Sequence, residues 1–141
     1  MRYRVALEQL SNGTVMATFP DVPEAGTVGN DEARAIERAP DALETALAIY
    51  VDERRDLPLP KRPRKGDRVV ALPPMAAAKL AIYQTMRDQG VTQVELAGRL
   101  DCDPKDIRRL LDLMHNSRLD RLDRALAALG KRLSIEVRDA A

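Results

Sequence analysis

Aromatic side chains are scarce in this chain: Tyr3, Phe19, Tyr50 and Tyr83 make up 3% of its 141 residues, and there is no tryptophan. Proteins that hold single-stranded RNA stack its bases on aromatic faces, so this composition argues against such a platform. Cysteine occurs once, at Cys102, which rules out an internal disulfide and fits a reducing compartment. Histidine also occurs once. His115 sits beside Asn116 and Ser117 with no second ligand-type residue near it, so it reads as a surface or capping residue, and neither a metal site nor a cofactor is expected. No apolar run is long enough to span a membrane and no signal-peptide pattern opens the chain, so a cytoplasmic location is expected.

Hydrophobic residues, at 45%, suffice for a core, and the length suits one domain or two small ones. The net charge of +1 conceals an asymmetry. Residues 1–60 carry 6 Lys+Arg against 11 Asp+Glu, whereas residues 61–141 carry 17 against 11. An acidic half and a basic half suggest two different partners, the basic one suited to phosphates and the acidic one to a basic protein.

Thr92 to Leu113 reads as two short helices joined by a tight turn. Thr92 and Glu95 stand at capping-box spacing, and Leu96, Ala97 and Leu100 follow as an apolar stripe. Asp101-Cys102-Asp103 interrupts the stripe. Asp103-Pro104 restarts a helix, with an acid at the N-cap and a proline where its missing N–H costs nothing. Ile107, Leu110 and Leu111 form the second buried face, leaving Lys105, Arg108, Arg109 and Asp112 pointing outward. This spacing resembles the helix-turn-helix of Xre-type repressors, with small Ala97 at the helix crossing and Asp101 where that family usually has glycine. The resemblance implies DNA contact through Thr92, Gln93, Lys105, Arg108 and Arg109, with Arg118 in the following loop reaching a phosphate. A bidentate guanine contact is open to either Arg108 or Arg109.

In the N-terminal half, Arg2 to Leu10 reads as a strand with Tyr3, Val5 and Leu7 on one face. Ser11-Asn12-Gly13 signals a turn, returning Thr14 to Phe19 as the second strand of a hairpin. Prolines in Phe19-Pro20-Asp21-Val22-Pro23 end that strand, and Thr27-Val28 makes a short third one. Asp31 to about Arg54 is a long amphipathic helix with Ile36, Leu43, Leu47, Tyr50 and Val51 on its apolar stripe. Pro40 lies inside it and should kink the helix or split it in two. An extended, basic stretch from Leu57 to Gly66 then leads to a fourth strand at Arg68 to Leu72.

This order, carried by Phe19-Pro20-Asp21-Val22-Pro23, Thr27-Val28-Gly29, Glu32-Ala33 and Asp41-Ala42-Leu43, resembles the HicB antitoxin family. The resemblance implies an α+β protein: a truncated RNase H-like β-sheet with one main helix, without a nuclease centre, followed by an all-α helix-turn-helix domain. It implies a non-enzymatic antitoxin that masks an RNA-cleaving HicA-like toxin and represses its own operon by binding operator DNA. Phe19, Asp21, Glu24 and Glu32 are the toxin-facing residues so implied. The corresponding division is a toxin-binding domain over 1–60, a linker with the last strand over 61–74, and a DNA-binding and dimerisation domain over 75–141.

Met75 to Gln89 reads as the first C-terminal helix, with Leu80, Tyr83 and Met86 inward and Gly90 ending it. Leu119 to Leu129 forms another. Leu133 to Val137 alternates as a strand, either packing near the Met75 helix or pairing between two copies, which sets two recognition helices about 34 Å apart. Two rival functions remain open. One is a nuclease using Asp21, Glu24 and Asp31, which requires those acids to converge. The other is a ligand-sensing transcription regulator without a toxin partner.

Overall fold

The computed structural model describes residues 1–140. Strands β1 (Arg2–Gln9) and β2 (Val15–Thr18) form the expected hairpin, with Glu8 opposite Met16. Asn12 closes the turn by accepting from the Thr14 N–H at 3.1 Å, and Gly13 supplies the left-handed residue at φ 87°. β3 (Gly26–Gly29) joins the free side of β2, and β4 (Arg68–Ala71) returns to pair with β1. The result is a four-stranded antiparallel sheet in the order β3-β2-β1-β4.

Helix α1 (Glu32–Asp52) covers one face of this sheet. Asp31 caps it, its carboxylate accepting from the Arg34 N–H at 2.8 Å. The expected split at Pro40 does not occur: the helix runs unbroken through it. Ala35, Ala39, Leu43 and Leu47, all fully buried on both sides of the proline, hold the two halves to the same core. Gly29 explains how β3 and α1 come so close. A Cβ there would lie 2.3 Å from the Ala35 nitrogen and 2.7 Å from the Arg34 carbonyl carbon, both backbone atoms.

The remaining helices are α2 (Pro74–Gln89), α3 (Gln93–Leu100), α4 (Pro104–Leu111) and α5 (Leu119–Ala128). Leu80, Tyr83 and Met86 of α2 are buried as the pattern requires, and Gly90 ends the helix in the left-handed conformation at φ 67°. The apolar core is continuous from Tyr3 of the sheet to Leu129 after α5. α2 also ties down the end of α1: the Tyr83 hydroxyl donates to the Arg55 carbonyl at 2.6 Å, and Arg87 donates to the Arg54 carbonyl and the Asp56 carboxylate, each at 3.0 Å.

One expected element is corrected. Leu133 to Val137 forms no strand; Ile135 and Val137 are 68% and 92% exposed. The alternation is present in the sequence, but among the described residues no neighbouring backbone pairs with it, and an isolated strand leaves its N–H and C=O groups to water.

Candidate functional site

Helices α3 and α4 meet through Asp101, Cys102 and Asp103. Thr92 caps α3, accepting from the Glu95 N–H at 3.1 Å; the Glu95 carboxylate takes the Thr92 hydroxyl at 3.2 Å instead of its N–H, so only half of the box closes. Asp101 ends α3 in the left-handed region at φ 52°, ψ 52°, and the Cys102 N–H bonds back to the Ala97 carbonyl at 3.0 Å. The complete capping box lies on α4. Asp103 accepts from the Lys105 N–H at 2.8 Å, while Asp106 reaches back to the Asp103 N–H at 3.3 Å. An aspartate at the third helical position, where Glu or Gln is usual, hid this box from the sequence pattern.

Ile107, Leu110 and Leu111 bury one side of α4 against the core. Lys105, Arg108, Arg109 and Asp112 are exposed on the other, as the periodicity requires. Arg109 leans on Asp106 at 3.5 Å; among the described residues, Lys105 and Arg108 pair with no acid. Thr92 is exposed and Gln93 half-buried at the start of α3. Arg118 stands apart from α4 as the residue preceding α5, ion-paired to Asp120 at 3.1 Å.

A residue that periodicity alone did not single out fixes α4 from behind. Lys79 of α2 is fully buried, and its ammonium donates to the Arg109 carbonyl at 2.9 Å, the Asp112 carbonyl at 2.9 Å and the Ser117 hydroxyl at 2.7 Å. All three of its donors are used. A cation at the C-terminal end of a helix also meets the negative end of its dipole. Burial lowers the Lys79 pKa, and the nearby Asp112 works in the opposite direction.

The acidic half is arranged differently from its sequence reading. Phe19 is 1% exposed and belongs to the core, so it offers no contact surface in the folded chain. The Asp21 side chain is almost fully enclosed: Arg4 reaches it at 2.9 Å and the Lys61 N–H donates to it at 3.1 Å. Those hydrogen bonds hold the Asp21 carboxyl below its ordinary pKa, Arg4 contributing most. Glu24 and Glu32 are exposed, but in different places. Glu32 begins α1 and lies 3.7 Å from Arg68, while Glu24 borders a groove of about 380 Å³ between β3 and α1, with Arg38, Asp41 and Ile49. Glu24 also raises the pKa of the neighbouring Tyr50, with burial adding to it. Among the described residues, no three His, Cys, Asp or Glu side chains are grouped as a metal site, and no helix is long and apolar enough to cross a membrane. Asp21 and Asp31, two of the three acids a nuclease reading requires, are occupied by the Arg4 pair and the α1 cap.

The sequence that folds into this antiparallel sheet, its long helix and the four shorter helices is similar to known proteins along most of its length. Residues 2–81 fit the family model described as the HicB-like antitoxin of bacterial toxin-antitoxin systems. The chain is 38% identical over 135 residues to Antitoxin HicB 2 of Photorhabdus laumondii subsp. laumondii, an alignment covering 96% of this chain and 95% of the relative. It is 37% identical to Antitoxin HicB of Escherichia coli (strain K12), covering 96% of this chain and 98% of the relative. Antitoxin HicB of Pseudomonas fluorescens (strain Pf0-1) is 37% identical over 126 residues, 89% of this chain and 86% of the relative. The chain belongs to the HicB-like antitoxin family.

Proposed function

We propose that this chain is a non-enzymatic antitoxin that masks an RNA-cleaving, HicA-like toxin with its N-terminal half and represses its own operon with its C-terminal half. Toxin, RNA and operator meet in the cytoplasm, where the reading puts the protein. The working division is residues 1–60 with β4 for the toxin, 61–74 as connection, and 75–141 for DNA and self-association. The sheet with α1 is read as a truncated RNase H-like fold, and α3 with α4 as a helix-turn-helix.

The observation that carries the DNA half of this reading is the exposed face of α4, with Lys105 and Arg108 unpaired and the helix anchored by a buried lysine. A cationic helix held rigidly on its inner side is suited to lie in a major groove. Thr92 orients α3, Gln93 and Arg109 contribute contacts beside Arg108, and Arg118 reaches a phosphate. For the toxin, the exposed acids Glu24 and Glu32 form the contact surface, while Phe19 and Asp21 support it from within. Opposite charge on the two proteins speeds their encounter more than it sets final affinity. Two copies then pair their Leu133–Val137 segments, bringing two α4 helices about 34 Å apart onto successive grooves.

Gel-shift titration with the duplex upstream of the chain's own coding sequence tests the DNA half. Binding by the parent and weaker binding by Arg108→Ala support it; no binding by the parent overturns it, and equal affinity of the two removes Arg108 from the interface.

A further inference from the structure

Between α1 and β4 the chain crosses the surface as Leu57-Pro58-Leu59-Pro60-Lys61-Arg62-Pro63-Arg64-Lys65, with neither helix nor strand until the turn at Lys65-Gly66. Its prolines fix their own φ and bias the residues before them, Leu57, Leu59 and Arg62, towards extended backbone. The backbone is also pinned. The Tyr3 hydroxyl donates to the Pro58 carbonyl at 2.9 Å, Asp21 accepts from the Lys61 N–H at 3.1 Å, and Asp67 accepts from the Arg64 N–H at 2.7 Å. Lys61, Arg62, Arg64 and Lys65 are all exposed, and among the described residues none of these side chains pairs with an acid. The Asp21 carboxylate, which accepts from the Lys61 backbone N–H, is already paired with Arg4.

Four unpaired cations in five positions repel one another, and the fold nevertheless holds the segment that carries them in place. We propose that this strap is a second nucleic-acid contact, a line of cations that tracks the phosphate backbone of duplex DNA beside the groove occupied by α4. The inference rests on the DNA-binding reading of α4. Measured along an extended chain the four charges span about 12 Å, enough to reach about two to three successive phosphates along one strand. The segment has no aromatic residue, so it cannot stack unpaired bases, and backbone charge is what it can recognise. A basic toxin is repelled by it. The root of the strap is tied to the DNA-facing helix through α2: Tyr83 holds the Arg55 carbonyl and Lys79, one helical turn away, holds the Arg109 carbonyl.

The test is fluorescence anisotropy of the full chain on a labelled upstream duplex, between about 50 and 200 mM salt. With Lys61, Arg62, Arg64 and Lys65 all changed to Gln, affinity should fall at least tenfold at the low-salt end. The slope of log K against log salt should become shallower by roughly 2 to 3, at nearly one unit per lost phosphate contact. The thermal midpoint should not fall with it, since none of the four side chains is among the described ion pairs. If the parent binds and Arg108→Ala weakens it, but the fourfold variant keeps the parental slope, the strap inference fails and the α4 reading stands. If the parent shows no binding to the duplex at about 50 mM salt, both fail. A loss confined to single-stranded RNA of the same length also overturns the proposal.

Discussion

The buried ammonium of Lys79 donates to the main-chain carbonyl of Arg109 at 2.9 Å, so a residue of α2 holds the last turn of α4 by its backbone while the Arg109 side chain faces solvent. Burying a lysine is costly unless its charge is met by good acceptors, and here it has three. Lys79→Met should therefore loosen α4 and the Asp112–Ser117 loop without touching any DNA atom. We expect about a tenfold loss of duplex affinity with an unchanged salt slope, because no phosphate contact is removed. Faster amide exchange confined to α4 and the following loop would accompany it; an exchange pattern identical to the parent's would contradict this role.

Arg108 is exposed, unpaired and central on the outer face of α4. Arg108→Ala should cost about 1–3 kcal/mol of operator binding if the side chain reads a base, and should flatten the salt slope by about 1 if it meets a phosphate. Binding to the toxin should not change. Anisotropy on specific and scrambled duplexes separates the two cases, since only a base contact changes the preference between them.

Gly29 lets β3 pack directly on the first turn of α1. Gly29→Ala drives a methyl into the Ala35 and Arg34 backbone, which cannot yield as a flexible side chain would. Overpacking of this kind costs about 1–3 kcal/mol, and the clash with backbone points to the upper end. Urea unfolding measures it; a change below about 0.5 kcal/mol, typical of unconstrained surface sites, would mean that the two elements are not so closely packed.

The Arg4–Asp21 pair makes stability depend on pH in one direction. Asp21 has its folded pKa below the ordinary 3.8, chiefly through the Arg4 hydrogen bond. Its contribution is thus complete above about pH 3.8 and is lost as pH falls through the folded value. The parent should be more stable than Asp21→Asn at pH 7, and the gap should close as acid protonates the Asp21 carboxylate. Denaturant midpoints of both proteins along the pH series test this, and a gap that widens in acid would reverse the assigned sign.

Much of this arrangement was legible in the chain. Alternation at Tyr3, Val5 and Leu7, the Ser11-Asn12-Gly13 turn and the Thr27-Val28 pair fixed the sheet's elements, and the stripe from Leu43 to Val51 fixed the face of α1. Local signals failed where tertiary contacts decide. Lys79 looks like any solvated helical lysine until the end of α4 is brought against it. Phe19 stands in a proline-rich turn, yet its ring turns into the core. The alternation of Leu133 to Val137 is a pairing preference without a partner among the described residues. Pro40 did not split α1 because Ala35 and Ala39 before it and Leu43 and Leu47 after it are buried in one core, against a proline cost of about 3 kcal/mol.

The central claim is that opposite ends of the molecule hold different macromolecules, and one pair of variants tests it most directly. The chain is co-expressed with the product of the adjacent reading frame, expected to be a small basic toxin, and capture of that protein and of the upstream duplex is measured for Glu24→Lys/Glu32→Lys and for Arg108→Ala/Arg109→Ala. The account predicts that the first variant loses the basic protein and keeps the duplex, while the second does the reverse. Both activities falling together in either variant, or neither falling in both, would contradict it.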